Sequence, residues 1–297
     1  MGDKPELDPE VLQLFDGYVH GNISRREFLQ QAARITASGV AAAALLSTLS
    51  PDYALAEQVS PDDPEIQVSY KKYASPAGAG VMRGYFARPA VTAHRLPGVV
   101  VVHENRGLNP YIEDVARRLA KAGYIAFAPD ALTPLGGYPG NDDDGRSLQR
   151  ERDGDEMFED FVAAVEFLQQ HPDCSGKVAA TGFCYGGGVV MKLAIRLPSL
   201  AAAAPYYGRH PVDGDVAAIK APLMLHHAGL DERVNASWPA FEKALKAAGV
   251  EYQNFVYEGA NHGFHNDTTP RFDAEAAELS WQRTLKLFAS NLHDQSA

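Results

Sequence analysis

Hydrophobic and polar positions along the chain follow two patterns in turn, one typical of buried strands and one typical of helices. Residues 98–102 are a continuous run, Gly-Val-Val-Val-Val, which is typical of a central strand buried on both faces. Residues 158–169 instead show the amphipathic spacing of a helix. Because strands and helices alternate, we expect parallel pairing with right-handed crossovers in one sheet. The sequence therefore predicts an α/β fold with a mostly parallel central sheet flanked by helices.

The same patterns predict the other elements of the body. Further strands are predicted at residues 66–73, 81–87, 124–128, 178–181, 201–207, 223–227 and 252–257. Further helices are predicted at residues 112–122, 189–195, 238–248 and 274–292. Residues 133–154 are rich in glycine and charge, which predicts a long loop or lid. Residues 65–297 are therefore expected to form one domain, preceded by a polar, proline-bearing linker at residues 57–64.

Composition narrows the classes of partner. The 297 residues carry a net charge of −11 without a dense lysine or arginine cluster. Nucleic acid is therefore not an expected partner, because phosphate binding needs a positive face. The two cysteines do not make a disulfide framework, and the chain has no Cys-x-x-Cys pair to suggest zinc. One of them, Cys174, is predicted to be a surface thiol in a loop.

Residues 1–56 read as a leader that is separate from the body. Arg25 and Arg26 precede residues 35–51, which carry no charge, and the small-x-small sequence Ala-Leu-Ala follows at residues 54–56. This order is typical of a twin-arginine export signal, so we expect a periplasmic or secreted protein that begins near Glu57. The uncharged stretch has 17 residues, fewer than the roughly 20 that a spanning helix needs, so no stable membrane span is predicted.

An alternative for the leader stays open. Its early part is long and acidic, and Leu12, Leu14, Phe15 and Val19 could form one face of a small amphipathic helix. Such a helix would pack on the body as a retained extension of a cytoplasmic protein.

A glycine-framed turn holds the second cysteine. Residues 182–187 read Gly-Phe-Cys-Tyr-Gly-Gly and lie between a predicted strand and a predicted helix. A Gly-x-nucleophile-x-Gly turn in that position is a nucleophile elbow, here with Cys184 in the nucleophile's place. The alternative is a small buried cysteine that packs before a helix.

Two further strand ends offer the partners that a nucleophile needs. Asp231 follows the strand at residues 223–227, and His262 lies in a glycine-flanked loop after the strand at residues 252–257. The order nucleophile, acid, histidine is that of α/β-hydrolases, whose sites lie at the carboxyl ends of the strands. Each residue alone could be structural, since a strand-end aspartate often forms a turn. Together they predict a catalytic triad.

At these motifs the chain resembles the dienelactone hydrolases, or carboxymethylenebutenolidases, from about residue 99 to residue 291. The marks are Glu104 after the first buried strand, the Gly-Phe-Cys-Tyr-Gly-Gly turn, Tyr-Tyr-Gly at 206–208, Gly-Leu-Asp at 229–231 and Gly-Ala-Asn-His-Gly-Phe at 259–264. The resemblance implies that Cys184 is the nucleophile, His262 the base and Asp231 the orienting acid. It also implies that Glu104 holds the resting thiol.

The resemblance also assigns residues around the substrate. The oxyanion hole would be the backbone N–H groups of Tyr185 and Asn105. Substrate contacts are expected from Tyr206, Tyr207, Arg106 and Asn266, with one tyrosine lining the pocket and the other packing. The family has an arginine where this chain has Asn266, and its second substrate-binding arginine stays open among three loop residues, Arg146, Arg150 and Arg152.

These residues predict a hydrolase of lactones or activated esters that acts through an acyl-thioester and needs no cofactor. A thiol of pKa about 8.5 must lose its proton to attack, and an imidazole of pKa about 6.5 can accept it near neutrality. Metal is not predicted, because the adjacent His226 and His227 would point to opposite faces of a strand. The alternative function is a catalytically silent protein that binds a small carbonyl ligand. The number of subunits stays open.

Overall fold

A computed structural model describes residues 8–36, 39–211 and 214–293. The outer ends of the predicted leader and domain, residues 1–7 and 294–297, lie outside these ranges. Eight strands form one sheet in the order β1-β2-β4-β3-β5-β6-β7-β8. They are β1 (Ile66–Ser75), β2 (Gly80–Pro89), β3 (Leu96–Val102), β4 (Ile125–Pro129), β5 (Cys174–Phe183), β6 (Ala202–Tyr206), β7 (Leu223–Ala228) and β8 (Tyr252–Tyr257). Strand β2 pairs antiparallel with β1 and β4, and the other five pairs are parallel. The predicted mostly parallel sheet is confirmed.

Helices cover both faces of this sheet. The α-helices of the described residues are α1 (Pro9–Val19), α2 (Arg25–Ile35), α3 (Gly39–Leu49), α4 (Pro110–Lys121), α5 (Asp142–Glu151), α6 (Gly154–Gln170), α7 (Tyr185–Arg196), α8 (Glu232–Asn235), α9 (Trp238–Ala248) and α10 (Ala274–Leu292). Val100 and Val102 of β3 pack in the core with α6, α7 and α9. Val99 and Val101 pack in the opposite core with α4 and α10. Successive side chains of a strand point to opposite faces, which is why an unbroken valine run marks the centre of the sheet.

Two parts of the body differ from the sequence prediction. The predicted loop at residues 133–154 contains α5, whose first turn is capped by the side chain of Asn141. Three aspartates in that turn interact favourably with the positive end of the helix dipole. The charged residues that suggested a loop therefore stabilise the start of a helix. Cys174 is buried and begins β5. The prediction of a surface thiol was wrong because β5 begins four residues earlier than its apolar run.

The leader forms three helices with a small core of their own. Phe15 of α1, Phe28 of α2 and Leu46 of α3 are buried against one another. Phe15 and Val19 are buried, and Leu12 and Leu14 are partly buried, as the amphipathic alternative predicts. The leader also contacts the body, because Asn105 donates a side-chain hydrogen bond to the carbonyl of Val19 at 2.7 Å.

Within the described ranges, no single helix has the length and apolar composition to cross a membrane. One sharply bent pair, Arg25–Ile35 with Gly39–Leu55, meets that test by length and composition only.

Candidate active site

The turn between β5 and α7 holds Cys184 in a backbone conformation that L-residues rarely adopt, with φ 56° and ψ −113°. Its flanking glycines are required by close backbone approach. A Cβ on Gly182 would lie 2.6 Å from the carbonyl oxygen of Gly186, and a Cβ on Gly186 would lie 2.3 Å from that of Val102. The sequence thus forms the strained strand-to-helix turn expected of a nucleophile elbow.

His262 and Asp231 form a buried pair beside this turn. His262 Nδ1 lies 2.5 Å from Asp231 Oδ2, and Asp231 also accepts a hydrogen bond from the backbone N–H of Val234 at 3.1 Å. Burial opposes the aspartate charge, but the His262 and Val234 hydrogen bonds lower the pKa of Asp231. Burial likewise opposes the imidazolium, yet the charge of Cys184 and the bond to Asp231 raise the pKa of His262 to about 10. The pair is therefore built to stabilise a protonated imidazole.

The thiol is correspondingly acidified. Burial alone would raise the pKa of Cys184, but His262 and His20 bring it well below its usual value. A lowered thiol pKa beside histidine is the microenvironment of a reactive cysteine, unlike the other thiol, Cys174, whose pKa is raised by burial.

His20 of the leader is a site residue that the sequence did not reveal. It follows α1, and its Nε2 lies 3.4 Å from Cys184 Sγ. Its Nδ1 donates to the backbone carbonyl of Asp16 at 2.8 Å and lies 3.1 Å from the Asp16 carboxylate. Arg233 donates to the same Nε2 at 2.9 Å. The amphipathic pattern of α1 signalled that the helix could dock, but not that its last turn would reach the thiol.

A cavity of about 560 Å³ opens in front of these groups. Its wall includes His20, Asn105, Cys184, Tyr207 and His262. Tyr185 also lines it, so both residues of the expected oxyanion hole lie at the cavity, and that role stays a prediction. Three cationic side chains, Lys192, Arg209 and Arg233, line the cavity together with one carboxylate, Asp155.

Glu104 lies in a buried charge cluster behind the cavity. Its carboxylate is 3.0 Å from Arg106 and accepts a hydrogen bond from the Asn266 amide at 3.3 Å. Burial raises the pKa of Glu104, and Arg106 opposes that rise. The expectation that Glu104 holds the resting thiol stays a prediction, because the described residues that engage its carboxylate are Arg106, through an ion pair, and Asn266, through a hydrogen bond.

Arg106 and Asn266 differ from their expected role as substrate contacts. Arg106 is buried and bridges Glu104 to Asp142. Asn266 is also buried, and its carbonyl oxygen accepts a hydrogen bond from Thr268 at 2.6 Å. Both side chains are committed to holding Glu104 and its neighbours, since buried charges and amides are stable only when paired. Asn266 therefore contacts Glu104, as the resemblance implies for the arginine that the family has at this position, but its neutral amide brings no positive charge.

The two tyrosines lie in different surroundings. Tyr207 lines the cavity, and its ring lies 5.0 Å from that of His262. Tyr206 packs inside, with its hydroxyl 2.7 Å from that of Thr284. Substrate contact by Tyr206 is therefore corrected to a core position.

The three loop arginines contact protein groups, and the residues that line the cavity do not include them. Arg146 binds Tyr18 and Asp143, which joins α5 to the leader. Arg150 donates to Ser147, and Arg152 donates to Asp160 at 2.7 Å. The arginines that do line the cavity, Arg209 and Arg233, follow β6 and β7 and were not singled out from the sequence.

Two histidines and a cysteine at the site lie close enough together to raise the question of a bound metal ion. Ring nitrogens of His20 and His262 and the Sγ of Cys184 lie within 4.8 Å of one another. Because Arg233 donates to His20 Nε2, a cation placed there would face a guanidinium, and we assign no metal to the site. His226 and His227 bond to separate partners, Tyr257 and Asn254, as expected for opposite faces of β7.

Comparison with known proteins agrees with this geometry. The family model described as the dienelactone hydrolase family matches residues 82–292. A second model, described as YqhI-like, matches residues 3–35 of the leader. A provisionally named hydrolase fragment, YghX of Escherichia coli K12, is 63% identical over 112 residues, which cover 38% of this chain and 96% of the fragment.

Longer relatives cover most of the body. A provisionally named carboxymethylenebutenolidase of Yersinia pestis is 30% identical over 231 residues, which cover 73% of this chain and 86% of that protein. The crystal structure of a provisionally named dienelactone hydrolase from Klebsiella pneumoniae superposes with a TM-score of 0.66 at 28% identity, covering 75% of this chain and 98% of that one. The chain belongs to the dienelactone hydrolase family of α/β-hydrolases and is a hydrolase of that type.

Proposed function

We propose that this hydrolase acts on lactones or activated esters through Cys184, His262 and Asp231, by way of an acyl-thioester. The main support is that the His262–Asp231 pair and the strained Cys184 turn face one cavity. The thiolate attacks the carbonyl carbon while backbone N–H groups of Tyr185 and Asn105 donate to the developing oxyanion. Protonated His262 then gives its proton to the leaving oxygen, and the same imidazole deprotonates the water that cleaves the thioester.

Sulfur as the nucleophile favours activated substrates. When the tetrahedral intermediate collapses, the group of lower pKa leaves faster. A thiolate of parent pKa about 8.5 leaves before an alkoxide, whose parent pKa is near that of water, about 16. Enol lactones and aryl esters release more stable anions, so they acylate the enzyme. Lys192, Arg209 and Arg233 at the cavity support a substrate that carries a carboxylate, like the lactone for which the relatives are named.

The test is a panel of enol lactones, aryl esters and ethyl esters. The wild type should hydrolyse the first two and leave the ethyl esters almost untouched. Cys184→Ala should abolish turnover, while Cys174→Ala serves as the matched control because Cys174 is buried at the start of β5. Binding of a lactone without turnover would favour a silent binding protein. Turnover that survives Cys184→Ala would refute the thioester route.

For the leader we propose retention in the active enzyme. The Ala56 side chain is buried, and its carbonyl accepts a hydrogen bond from Arg117 at 3.1 Å. A cleavage site near Ala56 would be shielded once the leader docks. Export by the twin-arginine route with cleavage there is the competing prediction. Amino-terminal sequencing of active protein from periplasmic and cytoplasmic fractions separates the two, since cleavage gives a chain that begins near Glu57.

A further inference from the structure

The sulfur of Cys184 faces two histidines, each with its own carboxylate. On one side is His262 with Asp231, joined at 2.5 Å. On the other side is His20, whose Nδ1 lies 3.1 Å from the carboxylate of Asp16. The second pair comes from the leader and is not part of the proposed triad. Because it nevertheless contacts Cys184 Sγ, we looked for a chemical role for it.

The hydrogen bonds of His20 fix its tautomer. Nδ1 donates to the carbonyl of Asp16 at 2.8 Å, so in the neutral ring Nε2 carries the lone pair. Arg233 donates to that lone pair at 2.9 Å, which agrees with this assignment. The nitrogen that lies 3.4 Å from Cys184 Sγ is thus an acceptor that can receive the thiol proton.

The sulfur of Cys184 is in hydrogen-bond contact with His20. Cys184 Sγ lies within hydrogen-bond distance of His20 Nε2, while the buried Nε2 of His262, whose interaction with the sulfur also lowers the thiol pKa, has no partner of good hydrogen-bond geometry among the described residues. His262 Nε2 is therefore available to the substrate's leaving oxygen while His20 engages the sulfur.

We propose that His20 is a second catalytic base, which takes the proton of the resting Cys184 thiol and forms a thiolate–imidazolium pair with it. The S–H bond breaks, its electron pair stays on sulfur, and the proton forms a new bond to His20 Nε2. The leaving oxygen receives a different proton, which His262 takes from solvent and carries on Nε2 because the pKa of that ring is raised to about 10. This inference rests on Cys184 being the nucleophile. It makes the leader a part of the catalytic site.

The charged groups around His20 fit this transfer. Asp16 faces its Nδ1 and Arg233 faces its Nε2. The ring centroid of His262 lies 4.8 Å away, and a charge on that ring opposes protonation of His20. Burial disfavours the imidazolium, but the Cys184 charge and the Asp16 hydrogen bond outweigh burial and raise the pKa of His20. Arg233 must leave Nε2 when the proton arrives. Its side chain is 34% exposed and already lies 3.3 Å from Asp16 Oδ2, so it has a second anionic partner.

Contacts of the leader hold this base in place. The Val19 carbonyl accepts from Asn105, and the Arg271 guanidinium stacks 5.1 Å from the centre of the Phe15 ring. Arg271 also lies 4.0 Å from Asp16 Oδ1. These contacts fix the end of α1, and therefore His20, against the elbow.

The experiment measures the alkylation rate of Cys184 by iodoacetamide across pH, by mass spectrometry of the Cys184 peptide, in full-length protein treated with a chelator. In His20→Gln the pH at the midpoint of the alkylation curve should rise by about one unit, and the alkylation rate below that midpoint should fall about tenfold. Gln13→Ala is the control, because Gln13 is an exposed residue of the same helix. An unchanged midpoint in folded His20→Gln overturns the proposal.

A second measurement does not depend on the folding of that variant. The His20 ring should titrate at lower pH by NMR in Cys184→Ala than in wild type, because the thiolate that stabilises its charge is gone. Identical His20 titrations in the two proteins overturn the proposal. Both readouts need no substrate, so they are separate from the loss of turnover in Cys184→Ala that tests the proposed hydrolysis.

Discussion

The two histidine–carboxylate pairs on Cys184 lie in regions that are built differently. Asp231 and His262 follow β7 and β8, which pair in parallel from Leu223 to Ala228, so the sheet itself sets their separation. Asp16 and His20 belong to a leader with its own small core, which reaches the elbow through a limited set of side-chain contacts. The first pair is as fixed as the sheet, whereas the second is present only while the leader is docked.

This difference separates chemistry that the hydrolase fold supplies from chemistry that an appended segment adds. Strand ends in parallel sheets converge at one edge, which is why triads recur there in fixed chain order. A docked helix obeys no such rule, because its position depends on side-chain contacts with the body. Variants in the two regions should therefore differ in the size and the kind of their effects.

The largest effect is expected from the sheet-borne pair. Asp231→Asn removes the charge that holds the tautomer of His262 and stabilises its imidazolium, and the turnover of an aryl ester should fall about 10⁴-fold in kcat. Because Asp231 also caps α8 through the N–H of Val234, thermal unfolding must be measured beside turnover. A stable Asp231→Asn protein that keeps more than a tenth of the wild-type kcat would remove Asp231 from the triad.

Sequence reasoning worked where periodicity and chain order carry the information. The valine run at residues 98–102 and the glycines around Cys184 identified the central strand and the elbow, because both express local steric rules. Asp231 and His262 followed from strand ends. The pattern could not place His20, since only tertiary docking joins residues separated by 164 positions.

Charged residues were harder to predict than apolar ones. Arg106 and Asn266 carry the right chemistry for a substrate but are used to pair Glu104, a choice that depends on burial. Conversely, Arg209 and Arg233 stand at the cavity without any local motif. Long polar side chains reach several ångströms, so spacing along the chain does not fix their partners.

An intermediate effect is expected from undocking the leader. Phe15 is buried among Tyr18, Phe28 and Arg271, and Phe15→Ala should destabilise the leader by about 3 kcal/mol. Limited proteolysis should then release the leader while the body stays folded, and Cys184 alkylation should shift toward that of His20→Gln. Val40→Ala, at a leader residue that is 83% exposed, is the control. If the leader is released and the alkylation profile of Cys184 stays that of wild type, the leader has no effect on the thiol.

The smallest effect is expected from the buried cluster of Glu104, Arg106 and Asn266, and it should shift the alkylation midpoint in the direction opposite to His20→Gln. Glu104→Gln keeps the shape of the side chain but removes a negative charge near Cys184 and leaves Arg106 paired with Asp142 alone. Both changes favour the thiolate, so the alkylation midpoint should move to lower pH and the rate below it should rise a few-fold. Glu258→Gln, at an exposed position after β8, is the matched control. A midpoint that stays in place or rises would show that Glu104 does not act on the thiol.

The double variant Glu104→Gln/His20→Gln tests whether the two residues influence Cys184 independently. If the shifts in the alkylation midpoint of the two single variants add up in the double variant, Glu104 and His20 act independently on the thiol. If they do not add up, Glu104 acts through the Cys184–His20 pair.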